Sequence, residues 1–369
     1  MKFFLGQTFI VAGLTLLSLL YPISLYQETH SMALLGISIT ANNLANGIGS
    51  YFWGSVLDKG KERYSYFLLL PVSGIVISFL IFRTSLGIIG YTILGFFSAL
   101  DGPLYSVLLL EQLEAEKTVT GNVRLSQLSL AGNIIGSILG AILPDFRITL
   151  ALFGISAFLN ATLVPRYKGE IREDKTEKIK TMRELMEAII SFSLFNLSAE
   201  IFYVVYIPTI TLFKVPNYVY FTSYSLLYVI NEYVYNKSIK LVKGNEIYYS
   251  LLIPSLRGII MLTMAVLLFF RINIEEGIVI PFVSFGSLYP IYSTSFFSIM
   301  FKNLKKNRGA ILGIFNAGES IASAGGSALS ALITPDNITQ AYIMGFFGFS
   351  LSFFIWLDYL NKRIKIIQE

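Results

Sequence analysis

The chain has no cysteine and a single histidine, His30, in 369 residues. The first absence excludes disulfides, thiolate metal sites and cysteine nucleophiles. The second argues against a histidine-cluster metal site and against a Ser-His-Asp triad. Charge is scarce as well. Asp, Glu, Lys and Arg make up 14% of the residues, against about 25% in soluble globular chains, too few to dress a water-facing surface. No Walker motif, Gly-rich dinucleotide loop or serial metal-ligand spacing occurs, so the sequence argues against an ATP-driven pump and calls for no bound cofactor. What the chain does have is apolar length: 54% of it is hydrophobic.

A helix needs about 20 apolar residues to cross a bilayer. Twelve segments qualify, at roughly 3–25, 34–56, 64–82, 86–110, 124–143, 148–165, 188–213, 218–239, 247–270, 277–301, 309–333 and 339–360. The joins are mostly short and polar, such as Arg83-Thr84-Ser85 and Thr334-Pro335-Asp336-Asn337, as antiparallel neighbours require. The join 166–187 is long and mixes Lys and Arg with Asp and Glu; it reads as a cytoplasmic linker between six-helix halves at 1–165 and 188–369. The first segment follows Met1-Lys2, but it is too long for a signal peptide and lacks a small-residue cleavage site, so it reads as a retained span.

Basic residues set the orientation. With the N-terminus inside and the spans alternating, the outer loops hold Arg83, Arg147, Lys214 and Arg271, and Arg257 falls within a span. The other basic residues, of 28 in all, lie on the cytoplasmic side. The formal net charge of +5 is therefore topological and gives no support to nucleic-acid binding. The chain is expected to be a multi-pass protein of the cell membrane, both termini cytoplasmic, acting as a monomer.

The halves repeat at a near-constant offset. Tyr21-Pro22 matches Ile207-Pro208, Pro103-Leu104-Tyr105-Ser106 matches Pro290-Ile291-Tyr292-Ser293, and Ala131-Gly132 matches Ala317-Gly318. With twelve spans and a charged central loop, this pattern resembles the major facilitator superfamily. Gly54-Ser55-Val56-Leu57-Asp58-Lys59-Gly60-Lys61-Glu62-Arg63 is similar to the superfamily's loop motif between helices 2 and 3. Gly132-Asn133-Ile134-Ile135-Gly136-Ser137-Ile138-Leu139-Gly140 resembles the antiporter motif of helix 5 without its proline. The resemblance implies an all-α fold of two pseudo-symmetric six-helix bundles. It also implies a gate in which Gly54 and Asp58 meet the start of helix 11 near Arg308, closing the cytoplasmic side; the alternative is that Asp58 merely flanks a span on its wet side. The glycines spaced by four in span 5 read first as a close-packed helix face.

Ionisable groups within spans cost about 2.5–3.5 kcal/mol each on insertion scales and mark candidate sites. Glu200 lies near the middle of span 7, and Asn196 and Tyr203 share its helical face. That stripe suits either a proton or substrate site, or a carboxyl hydrogen-bonded between helices. Asp101 in span 4 has Tyr105 four residues on, with Gly102-Pro103 loosening the helix between them. Glu319 sits in span 11 beside Asn316 and several serines. Arg257 in span 9 needs a partner, and Glu232 or Glu200 is the expected one, as a structural ion pair; a site for an anionic substrate is the alternative. By resemblance, helices 1, 4, 7 and 10 line a central cavity.

These features point to a secondary transporter that works by alternating access on a small molecule, with protons as the coupling ion. Buried acids outnumber buried bases, which favours export of an amphiphilic or cationic compound. Import of a sugar or organic acid, and a membrane-embedded enzyme or sensor, are the alternatives.

Overall fold

The computed structural model describes residues 2–59, 84–101, 104–105, 118–143, 145–163, 182–272, 274–302 and 308–368. They form α1 (Lys2–Thr29), α2 (Met32–Lys59), α3 (Thr84–Ser98), α4 (Thr118–Ile142), α5 (Phe146–Leu163), α6 (Met182–Leu212), α7 (Asn217–Val242), α8 (Glu246–Phe269), α9 (Val279–Ser287), α10 (Tyr289–Lys302), α11 (Arg308–Ala331) and α12 (Ile338–Gln368). There is no strand among the described residues. Helix is the form an apolar chain takes where no water can satisfy its backbone.

Among the described residues, five stretches are long and apolar enough to cross a membrane: Leu5–Thr29, Leu185–Leu212, Glu246–Phe269, Glu275–Met300 and Pro335–Lys362. They fall on the expected spans 1, 7, 9, 10 and 12. Span 3, at 64–82, lies outside the described residues, as does most of the linker. Residues 182–187, placed in the linker from sequence, instead form the first turns of α6. Span 10 is expected as one helix and is found broken, with Leu288 between α9 and α10. Pro290 lies just after it and has no N–H to offer the Gly286 carbonyl.

Among the helix ends followed by a residue in the left-handed region, two carry a basic residue there. Lys214 (φ 55°) follows α6, and the Val215 N–H donates back to the Ile210 carbonyl at 2.9 Å. Arg271 (φ 54°) closes α8, with the Ile272 N–H donating to the Leu267 carbonyl at 2.8 Å. Glycine usually fills this position. Here Lys214 and Arg271 do so, and their charge complements the negative end of the helix dipole.

The chain divides into two compact units. Unit 1 is Met1–Thr29, Ala41–Asp174 and Pro216–Val229; unit 2 is His30–Thr40, Lys175–Val215 and Ile230–Glu369. In unit 1, α1 packs on α4 and α5. In unit 2, α6 packs on α11 and α12, and α8 packs on α10 and α12. Under the sequence repeat α1 answers to α6, α4 to α11 and α5 to α12, so the same helix pairing recurs in each unit.

Small residues make these contacts close. A Cβ on Gly132 would stand 2.7 Å from the Thr8 carbonyl, and one on Gly136 would collide with the Ala12 carbonyl. In unit 2, Gly326 stands likewise against the Leu197 carbonyl. Hydroxyls finish the interfaces: Thr15 Oγ1 donates to Asn133 Oδ1 at 2.6 Å, Ser225 Oγ to Ser137 Oγ at 2.8 Å, and Thr40 Oγ1 to Ser327 Oγ at 3.1 Å. The glycine face of span 5 therefore lies in close backbone packing.

Gly136→Val should push α4 off α1 and lower stability by about 1–3 kcal/mol, the usual cost of overpacking. Gly154→Ala, where a Cβ meets nothing within 4 Å, should leave the thermal unfolding temperature of detergent-purified protein unchanged.

Candidate functional site: a caged arginine and the span carboxyls

Arg257 lies in α8 and is fully buried. Its Nε donates to the Phe285 carbonyl at 2.9 Å, and its Nη2 reaches the Gly286 carbonyl at 3.5 Å. These carbonyls stand just before the break in span 10, and Pro290 cannot serve Gly286, so an arginine from the neighbouring span does. Aromatic rings cover the guanidinium: its carbon is 4.3 Å from the Phe285 ring centroid, 4.9 Å from Phe195 and 5.7 Å from Tyr289. Phe195 in turn stacks on Tyr292 at 3.7 Å, and Phe202 on Phe285 at 3.9 Å. The phenols of Tyr203, Tyr289 and Tyr292 face the cation.

The expected ion pair between Arg257 and Glu232 is not formed. Glu232 accepts instead from Asn236 Nδ2 on its own helix at 3.2 Å. The cation is held by freed carbonyls and ring faces, which sequence spacing did not reveal. Phe195, Phe285 and Tyr292 were not singled out for this role; the signal was Pro290, which marks an orphaned carbonyl four residues earlier.

Glu319, on α11, accepts from the Tyr289 hydroxyl at 3.4 Å. Tyr289 thus touches Glu319 through its oxygen and Arg257 through its ring. Glu200 and Tyr203 share a face of α6, and α11 passes close to it: a Cβ on Gly326 would stand 2.9 Å from the Glu200 Cβ. Asn196 is buried and donates from Nδ2 to the Phe192 carbonyl of its own helix at 2.9 Å. Unit 2 therefore brings Glu319, Tyr289, Tyr203 and Arg257 into one neighbourhood, with Glu200 acting on Tyr203.

Asp101 and Tyr105 belong to unit 1. Regular helix stops at Ser98, a turn occupies Ala99 and Leu100, and Asp101 follows it. The Asp101 Oδ1 is enclosed and has no hydrogen-bond partner among the described residues; the Gln7 side chain of α1 faces the carboxyl. Tyr105 is buried, and its hydroxyl donates to Asn160 Oδ1. The asparagines of α2 bridge helices: Asn42 Nδ2 donates to the Tyr91 carbonyl at 2.6 Å, and Asn46 Nδ2 to the Gly95 carbonyl at 3.3 Å. Gly54 and Asp58 fall in the last turns of α2, and Arg308 is the first residue of α11. Their side chains lie outside the described residues, and so does the gate expected of them.

The sequence profile of the Major Facilitator Superfamily matches residues 3–327. The chain belongs to the major facilitator superfamily. Its fold is that of the superfamily's transporters: all-α, membrane-embedded, multi-pass, and a carrier of small molecules rather than an enzyme. Similar solved structures include a D-xylose-proton symporter, with TM-score 0.76, 12% identity and 96% of each chain covered. A bacterial homologue of the iron transporter ferroportin in its inward-facing state has TM-score 0.74, 15% identity and 97% of each chain covered. A nucleoside transporter has TM-score 0.72 and 12% identity, covering 98% of this chain and 99% of its own. At such identities the likeness is one of fold. No curated protein sequence matches the chain.

Arg257→Met leaves the Phe285 carbonyl without its side-chain donor and should lower stability by about 1–3 kcal/mol. Glu232→Gln, which breaks no ion pair with Arg257, should stay within about 0.5 kcal/mol of the parent. Thermal unfolding of the two purified variants checks both.

Proposed function

We propose that this superfamily member is a proton-coupled secondary transporter that moves a small molecule by alternating access. It works as a monomer in the cell membrane, with both termini in the cytoplasm, no resident cofactor and no nucleic-acid partner. The observation that carries the coupling is Asp101. An ionised carboxylate is costly where one oxygen is enclosed and unbonded. The same carboxyl is stable when protonated and ionises readily where water reaches it. A transporter that alternately encloses and wets such a group moves a proton with each cycle. Glu200 and Glu319 are the assisting carboxyls.

Export of an amphiphilic or cationic compound is the second reading. In its favour, Glu319 and Glu200 stand among aromatic rings, including Tyr289 and Tyr203, a setting that suits a flat cation.

Proteoliposomes test the coupling. With an imposed pH gradient, one member of a panel of labelled benzoate, xylose, leucine and tetraphenylphosphonium should accumulate beyond its equilibrium level. A protonophore should collapse the accumulation. Asp101→Asn should abolish it, while downhill exchange survives. Accumulation that persists with the protonophore, or in Asp101→Asn, overturns the reading.

Topology has its own check. A fluorescent protein fused after Glu369 should fluoresce in cells, and alkaline phosphatase at the same place should be inactive.

A further inference from the structure

The guanidinium of Arg257 is only partly used. A guanidinium is planar, and its five N–H bonds lie in that plane. Here the faces are covered by Phe285, Phe195 and Tyr289. The edge carrying Nε and Nη2 is taken by the carbonyls of Phe285 and Gly286. What remains is Nη1, which is enclosed and has no hydrogen-bond partner. Among the described residues no carboxylate forms an ion pair with this arginine. The Tyr292 hydroxyl is also enclosed and unpartnered. Its ring is held in place by Phe195 at 3.7 Å and Phe296 at 5.6 Å, near enough for the charge of the arginine to act on the phenol.

Resting on the transport reading, we propose that Arg257 and Tyr292 form the head-group subsite of the transported molecule, and that the head group is a carboxylate. A buried cation held by carbonyl dipoles, ring faces and the Tyr203 phenol, with no carboxylate paired to it, retains its full charge, and a neutral hydroxyl does not balance it. A carboxylate does, and it accepts from Nη1 and from the phenol at once. A cationic head group is repelled there. The surrounding rings suit an apolar or aromatic body behind the carboxylate, so the substrate class is a small organic acid. The break at Leu288 separates α9, whose carbonyls hold the arginine, from α10, which carries Tyr292. Movement of α10 about that break opens the subsite without releasing Arg257 from its staple.

The test is equilibrium binding to the full-length protein in nanodiscs at pH 7, read by calorimetry. The probes are benzoate and acetate, each against its neutral amide. Benzoate should bind and benzamide should not, with acetate weaker than benzoate. Tyr292→Phe removes one oxygen, leaves the ring stack and should weaken benzoate about tenfold, the cost of one hydrogen bond to a charged group. Arg257→Lys keeps the charge but loses the fork and should weaken benzoate at least as much. Both variants are judged at an unfolding temperature equal to the parent's, because Arg257→Met carries its own loss of stability. Benzoate that fails to bind, that binds no better than benzamide, or that ignores both substitutions overturns the proposal. Binding at equilibrium needs no pH gradient. Benzoate binding without proton movement in liposomes therefore sinks the coupling alone. Proton-driven accumulation of another solute, with no benzoate binding, sinks this proposal alone.

Discussion

Every proline within a span removes the N–H that the carbonyl four residues earlier would have used, and in hydrocarbon no water replaces it. Much of this structure answers that constraint. Pro22 in α1 orphans the Ser18 carbonyl, and the Tyr91 hydroxyl of α3 reaches it at 3.5 Å. Pro290 orphans the Gly286 carbonyl, and Arg257 of α8 reaches it. In each case the donor comes from a different helix, so a local backbone defect becomes a contact between spans. The larger defect, at the break in span 10, draws the stronger donor. The aromatic cage follows from that choice, since a cation brought to mid-span must be solvated by something, and ring faces are what the neighbouring helices supply.

Close packing obeys a second version of the same constraint. Without a hydrophobic driving force between helices, association depends on dispersion and on hydrogen bonds between spans. Gly132, Gly136 and Gly326 bring backbones together, and Thr15, Thr40 and Ser225 bond across the seams. The recurrence of α1 with α4 and α5 as α6 with α11 and α12 shows one packing solution used in each unit.

The architecture was legible because hydropathy and a repeat of about half the chain are both written in order along the sequence. The packing face of span 5 was legible for the same reason, through glycines four apart. The site was less so. Asp101, Glu200 and Glu319 stood out as charges within spans. The partners of Arg257 did not, because carbonyls and rings carry no charge by which to match them. A search for opposite charges therefore led to Glu232 or Glu200, and Glu232 serves its own helix. The break in span 10 was written in Pro290, but apolar length alone read through it.

The left-handed ends at Lys214 and Arg271 have a consequence for the lipid. Each holds a charge at the close of an apolar helix, and a charge resists being drawn into hydrocarbon. The apolar stretch Leu185–Leu212 runs 28 residues, about 42 Å at the rise of an α-helix. The hydrocarbon core is about 30 Å thick. With the end that carries Lys214 held at the headgroups, α6 takes up the excess by tilting or by extending at its other end. Bilayer thickness thereby acts on the helix that carries Glu200, making lipid chain length a physical variable of the transporter.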